Sequence, residues 1–314
     1  MIQVDGLSKY YASHKAIDGI SFRIGEGEIV GLLGLNGAGK STILKVLGCF
    51  LVPSGGNATV GGHRVTDDPH EVRKLIGYLP DHPPLYDEMT VGRYLSFVAK
   101  LKNVPTADVD RSVADAMAKT NTSGVADARL GALSHGFRQR VGIAQAMVHR
   151  PRVLILDEPI NGLDPIQIVE MRDTILALRK LHTVILSSHI LSEITKTCDR
   201  ILVIDKGKLI AEGTETELAG GGSKTTRIEV QFTGAEGAVA SGVKALSGVA
   251  SVEIKNVPNA TRLIVEATGE ARSAIAKAVI AAGGDLLVLR KMDDGLENLF
   301  LKLVQNSNSY KSES

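Results

Sequence analysis

The sequence predicts a two-domain chain: an α/β domain over residues 1–220 and a small α+β domain of ferredoxin-like order over residues 227–304. Three observations carry this. A glycine-rich run, Gly34-Leu35-Asn36-Gly37-Ala38-Gly39-Lys40-Ser41-Thr42, follows a short apolar segment and opens an amphipathic stretch. Further apolar runs alternate with helically spaced apolar residues as far as residue 219, as in an α/β sheet. Gly220-Gly221-Gly222-Ser223 then begins a linker over residues 221–226, beyond which the order reads βαββαβ and a last helix.

The glycine-rich run fits G-x-x-x-x-G-K-[ST], with Gly34, Gly39, Lys40 and Ser41 at the fixed places. Its glycines let the backbone wind tightly, so that successive N–H groups through Asn36, Gly37, Ala38, Gly39 and on to Thr42 point inward and cradle phosphates. Lys40 can reach the β- and γ-phosphates, and the Ser41 hydroxyl can ligate Mg²⁺. Residues 29–33 read as a buried strand before the run, and Ile43, Leu44 and Leu47 mark one face of a helix after it. A helix N-terminus aimed at an anion is the geometry this context implies. The core is thus a P-loop NTPase that binds a nucleoside triphosphate.

Composition bounds what else the chain can be. Its 314 residues are enough for two domains, each with its own core. There is no Trp and only 4% aromatic residues, so the core is mostly Ile, Leu, Val and Ala. A net charge of +1 without a dense basic block gives no reason to expect nucleic acid. Cys49 and Cys198 lie far apart and form no metal motif, and Cys49 reads as a small buried apolar residue. The first residues lack the basic and apolar regions of a signal peptide, and no apolar run approaches the roughly 18 residues needed to span a membrane. The expectation is a soluble cytoplasmic chain, with any membrane role supplied by a partner.

Residues 2–7, 16–24 and 28–33 read as strands. In Leu7-Ser8-Lys9-Tyr10-Tyr11 an aromatic ring could stack on a base or simply pack at a strand end. A short strand at 58–60, a brief helix at 69–74 and a strand at 75–79 lead to the loop Pro80-Asp81-His82-Pro83-Pro84, where proline stops both elements. His82 reads as a surface loop residue, since no Cys or His lies near it at ligand spacing. Helices at 91–101 and 108–120 form a helical insertion. Leu133-Ser134-His135-Gly136 opens the next helix, with Phe137, Val141, Ala144 and Val148 as its stripe. Ser134 stands at the cap position, either an ordinary cap or part of an anion-facing helix N-terminus.

Val153-Leu154-Ile155-Leu156 is a buried strand delivering Asp157 and Glu158 to its carboxyl end, beside the phosphate loop. Asp157 would hold Mg²⁺ through the metal's water shell, and Glu158 would orient and polarise the attacking water. Asn161-Gly162-Leu163-Asp164-Pro165 is a turn into a helix at 166–180, and a strand at 183–186 ends in Ser187-Ser188-His189. His189 lies at the sheet edge where ligands bind, placed to touch a γ-phosphate or equally to be a buried hydrogen-bonded His. A hairpin at 200–205 and 208–211 and a short helix at 216–219 close the domain. Beyond the linker come strands at 227–232, 249–255, 263–267 and 286–290, helices at 235–246, 272–282 and 295–304, and a polar tail at 305–314 expected to be disordered.

Taken together, residues 1 to about 220 resemble the ATP-binding subunit of ABC transporters, in the branch serving ABC-2-type exporters. Residues 34–42 match the Walker A motif, 153–158 the Walker B with its catalytic glutamate, 133–137 the signature, 161–164 the D-loop with Asp164, and His189 the switch histidine. Tyr11 matches the aromatic that stacks on adenine. The resemblance implies an ABC ATPase fold, a mixed-sheet core plus a helical subdomain, using ATP and Mg²⁺ with Lys40, Glu158 and His189 as catalytic groups and Ser41, Asp81 and Asp157 around the metal. It implies a homodimer in which Ser134, His135, Gly136 and Phe137 of one copy complete the site of the other. It further implies integral membrane permease subunits as partners, gripped by the Asp81 loop and the helices from Val91 onward, on the cytoplasmic face of the membrane.

Two departures stand out. The family's glutamine after the strand at 75–79 is Asp81, shorter and negatively charged, and two signature positions that hold Gly and Gln in the family are His135 and Phe137. Ser134 and Gly136 are retained. A soluble ABC ATPase acting on ribosomes or nucleic acid is the alternative, disfavoured by the single ATPase unit and the absence of a basic face. A GTPase switch lacks its N-K-x-D signature and leaves Ser134 and His189 unexplained. The C-terminal domain resembles the accessory domain of many ABC-2 exporter subunits, where bracing the homodimer is the favoured role.

Overall fold

A computed structural model describes residues 1–179, 181–218, 225–257 and 260–292. The chain begins with a long hairpin, β1 (Ile2–Tyr11) against β2 (His14–Ile24). β1 continues past residue 7 because Gly6 adopts φ +58 and the register shifts between Val4 and Leu7. Beyond this bulge Leu7, Lys9, Tyr10 and Tyr11 still pair with β2, so the strand is four residues longer than the expected 2–7. β3 (Ile29–Leu33), buried throughout, leads through the glycine-rich loop into α1 (Lys40–Leu47). β4 (Gly55–Val60) and β5 (His63–Arg64) then complete a four-stranded antiparallel sheet of order β2-β1-β4-β5.

After α2 (Pro69–Leu75) and β6 (Ile76–Leu79) the helical insertion follows: α3 (Val91–Leu101), α4 (Val109–Lys119) and α5 (His135–Met147) pack on one another. α5 also lies on β6, where a Cβ at Gly77 would run into the carbonyl of Ala146. The chain returns through β7 (Val153–Leu156), α6 (Pro165–Ala177), β8 (Thr183–Ser188), α7 (Leu191–Thr197), β9 (Arg200–Asp205) and β10 (Lys208–Gly213). The second sheet has the order β10-β9-β3-β8-β7-β6, parallel except for β10. Side chains from both sheets and α1, among them Leu7, Ile20, Leu32, Leu44, Ile155 and Leu202, form one core. The mixed-sheet P-loop core and its helical subdomain are thus present. β7 does not pair with β3, because β8 lies between them.

The chain divides into two compact units, Met1–Thr214 and Glu215–Ser314, so α8 (Glu215–Leu218) belongs to the second. Thr225 and Thr226, expected in the linker, already pair in β11 (Thr225–Gly234). With α9 (Glu236–Lys244), β12 (Val249–Val257), β13 (Ala260–Thr268), α10 (Arg272–Ala281) and β14 (Gly284–Lys291), this strand builds an antiparallel sheet of order β12-β13-β11-β14. That order is the ferredoxin-like one anticipated from the βαββαβ pattern. Ile228, Val230, Phe232, Leu263 and Val265 on one face pack with Val239, Val243, Ile275 and Val279 of the helices. The rest of the expected linker, at 221–224, and the closing helix and tail at 295–314 lie outside the described residues.

Candidate nucleotide site

The phosphate loop is shaped by glycines at close quarters. Gly37 and Gly39 have φ +82 and +110, and a Cβ on Gly39 would come within 2.6 Å of the carbonyl of Ala16. Only glycine takes this path without strain. Ala38 is buried, its carbonyl accepting from the N–H of Gly207, while Asn36 and Gly37 are exposed at the loop's tip. Lys40, the first residue of α1, is buried. It donates to the carbonyls of Gly34 at 2.7 Å and Leu35 at 3.2 Å, and its ammonium lies 3.2 Å from Glu158 Oε1. Ser41 and Thr42 follow in the first turn, where backbone N–H groups have no intrahelical partner.

The two acids at the end of β7 separate in direction because Glu158 takes φ +48. Asp157 turns toward α1, accepting from Ser41 Oγ at 3.0 Å and from Ser187 Oγ at 2.7 Å on the same oxygen. Glu158 is held at its other oxygen by His189, whose Nδ1 lies 2.9 Å from Oε2. Ser187, at the end of the interposed strand β8, also accepts from the N–H of Glu158 at 2.8 Å. Burial raises the pKa of Asp157; the hydroxyls of Ser187 and Ser41 oppose the rise, and the charges of Glu158 and Asp81 add to it. A negatively charged pocket of this kind favours a cation.

The Ser41 hydroxyl and the Asp157 carboxylate are both hard oxygen donors, the kind a small divalent ion such as Mg²⁺ accepts. Among the described residues no cluster of three or more His, Cys, Asp or Glu forms a metal cage. This fits an ion that completes its shell with phosphate and water. Asp81 is turned elsewhere: one carboxylate oxygen accepts from Asn161 Nδ2 at 3.4 Å and the other lies 3.2 Å from Nδ1 of exposed His82.

The remaining sequence-predicted residues sit on two helix starts and a strand end. Ser134 caps α5 through the N–H of Phe137 at 3.4 Å, and Phe137 is half-buried with the Arg140 guanidinium over its ring. His135 reaches across to the carbonyl of Asn161 at 3.1 Å, and Gly136 lies against the Gln167 amide. Asp164 caps α6, accepting from the N–H groups of Ile166 and Gln167 at 3.0 and 2.9 Å. Tyr11 stands at the end of β1, 47% exposed, with the Lys9 ammonium 5.5 Å from its ring centre. Lys40, Ser41, Asp157, Glu158 and His189 therefore meet through direct contacts, whereas Ser134, His135, Asp81 and Asp164 gather around the Asn161 turn. Ser187 is the residue that sequence reasoning missed; its signal was a hydroxyl at the carboxyl end of the strand before His189.

Residues 17–161 match the family described as ABC transporter. The linearmycin resistance ATP-binding protein LnrL of Bacillus subtilis is 30% identical over 308 residues, covering 96% of this chain and 98% of that one. The bacitracin transport ATP-binding protein BcrA of Bacillus licheniformis is 36% identical over 214 residues, covering 68% and 69% respectively. Among solved structures, cbiO1 of Clostridium perfringens, part of the ABC transporter complex cbiONQ, superposes with a TM-score of 0.64 at 30% identity, covering 69% of this chain and 89% of that one. Among the described residues no helix is long and apolar enough to cross a membrane. A phosphate loop joined through Ser41 to a paired acid and a histidine, together with likeness over nearly the full length, has one reading: the chain belongs to the ATP-binding ATPase subunits of ABC transporters.

Proposed function

We propose that the chain powers export by an ABC-2-type transporter as a homodimer, each ATP held between the phosphate loop of one copy and Ser134 to Phe137 of the other. The observation that carries the catalytic part is the Glu158 carboxylate, clasped by Lys40 and His189 beside the Ser41–Asp157 pair. In this reading Lys40 and the N–H groups from Asn36 to Thr42 bind the phosphates of ATP, and Gly34 lets the chain turn into the loop. Tyr11 stacks on adenine. Ser41 and Asp157 hold Mg²⁺, which when bound neutralises charge on the β- and γ-phosphates. Glu158 polarises the attacking water, and His189, bonded to Glu158, reaches the γ-phosphate.

Ser134 and Gly136 open α5, whose N-terminus adds positive potential to a γ-phosphate brought to it by a second copy. Asp164 keeps α6 in register with that face. Asp81 stays in the metal's surroundings through its charge on Asp157 rather than through a bond of its own. Export is favoured by the relatives named for linearmycin resistance and bacitracin transport. The exposed rings of Tyr86, before α3, and Phe97, on it, lie 5.9 Å apart with their planes tilted, and suit a permease helix at the cytoplasmic face.

Glu158→Gln keeps the shape of the site and removes the base. ATP turnover is expected to fall at least 100-fold, about the contribution of a general base, and light scattering is expected to show an ATP-dependent dimer. Undiminished hydrolysis in this variant would remove Glu158 from the chemistry. A variant that stays monomeric with ATP would remove the sandwich.

A further inference from the structure

Two of the residues that depart from the family's pattern, Asp81 and His135, converge on one residue. The carbonyl of Asn161 faces His135 Nε2 at 3.1 Å, so that nitrogen carries the proton and donates. The side-chain amide of Asn161 donates to Asp81 Oδ1 at 3.4 Å, and its backbone N–H donates to the carbonyl of Glu158 at 3.1 Å. Gln139, one turn further along α5, donates to the carbonyl of Asp81 at 3.2 Å. Gly162, at φ +72, leaves room for the imidazole, since a Cβ there would stand 3.3 Å from Nε2. A glycine at position 135 has no side chain and cannot make the first of these bonds.

The consequence is a continuous hydrogen-bonded path from the start of α5 to the backbone of Glu158. We propose that His135 is a positioning residue that couples the two ATP sites: it ties the helix serving the partner's nucleotide to the turn that carries this copy's own Glu158. The proposal rests on the sandwich reading above. When a nucleotide draws the N-terminus of α5 toward it, the His135–Asn161 bond passes the displacement to the Glu158 carbonyl. Asp81, bonded to the same Asn161, fixes the other side of the turn. Each site then responds to occupancy of the other, which makes hydrolysis cooperative in ATP.

The test is steady-state ATP hydrolysis by the full chain against ATP concentration, for wild type, His135→Ala and His135→Gln. The wild type is expected to give a Hill coefficient between 1 and 2, the ceiling for two sites. His135→Ala, which loses the donor, is expected to bring it to about 1 with kcat lowered about three- to tenfold, the worth of one hydrogen bond. His135→Gln, whose amide can also donate, is expected to restore cooperativity. In a Glu158→Gln background, light scattering is expected to show the same ATP-dependent dimer with and without His135→Ala. A wild-type coefficient of 1, an unchanged coefficient in His135→Ala, or a glutamine variant that behaves like alanine overturns the coupling. Loss of the dimer in His135→Ala alone makes the residue a dimer contact instead and overturns it too. Absence of the dimer in Glu158→Gln itself is the separate result that defeats the sandwich.

Discussion

At the scale of single residues, charge and burial set what each group can do. His149, just beyond α5, has Nε2 at 3.0 Å from the carbonyl of Ile76, so Nε2 bears the proton and Nδ1, buried without a partner, is a bare acceptor. Burial first, and then the nearby Lys102, push its pKa from 6.5 down to about 4. The unfolded chain takes up this proton near pH 6.5 while the folded chain refuses it until about pH 4. Stability is therefore full above the unfolded value and lost as pH falls through that window. His149→Gln is expected to flatten this part of the pH profile by about 1–2 kcal/mol, allowing for its partial exposure. Urea midpoints at pH 7.5 and 4.5 measure it; equal declines in both proteins would exclude His149 as the source. Lys40, Ser41, Asp157, Glu158 and His189 were legible because each carries its chemistry in its own residue type at fixed short spacing. Ser187 was not: its hydroxyl matters only because β8 lies next to β7, a fact of pairing between residues far apart in sequence.

Elements show the same division between local and distant causes. The glycine loop, the strand before it and α1 were readable because adjacent residues determine them. β1, expected over residues 2–7, runs on to Tyr11 because β2 and β4 pair with it on either side, across the register shift at Gly6. The helix expected at 166–180 stops at Ala177, its last turn tightening into bonds from Leu178 and Arg179 to Ile175 and Leu176. Close approach of α5 to β6 depends on Gly77. Gly77→Ala drives a Cβ into the carbonyl of Ala146, which is backbone and cannot swing aside. A loss of about 1–3 kcal/mol is expected, as for other overpacked cores, visible as a lowered melting temperature. An unchanged melting curve would show that helix and strand separate at no cost.

At the scale of the whole molecule, each compact unit has its own core, so each can be altered by itself. In the second unit Glu229, buried on β11, is bonded by Gln231 and Arg290 and paired with Arg262, which stabilises the carboxylate despite its burial. If this unit braces the homodimer, a chain ending at residue 218 is expected to lose dimer mass in light scattering and, with it, ATP hydrolysis, since each site needs Ser134 of a second copy. An unaltered dimer would assign the unit another role. Its βαββαβ order was legible because hairpins and helices alternate in short steps; its function was not, because no residue type there carries chemistry alone. The clasp between Lys40 and Glu158 has a consequence for how the motor avoids idling. In the proposed reading, a phosphate group that claims the Lys40 ammonium would draw it away from Glu158, leaving that carboxylate with His189 and free to swing toward water. On that reading, the fuel unlatches the residue that burns it.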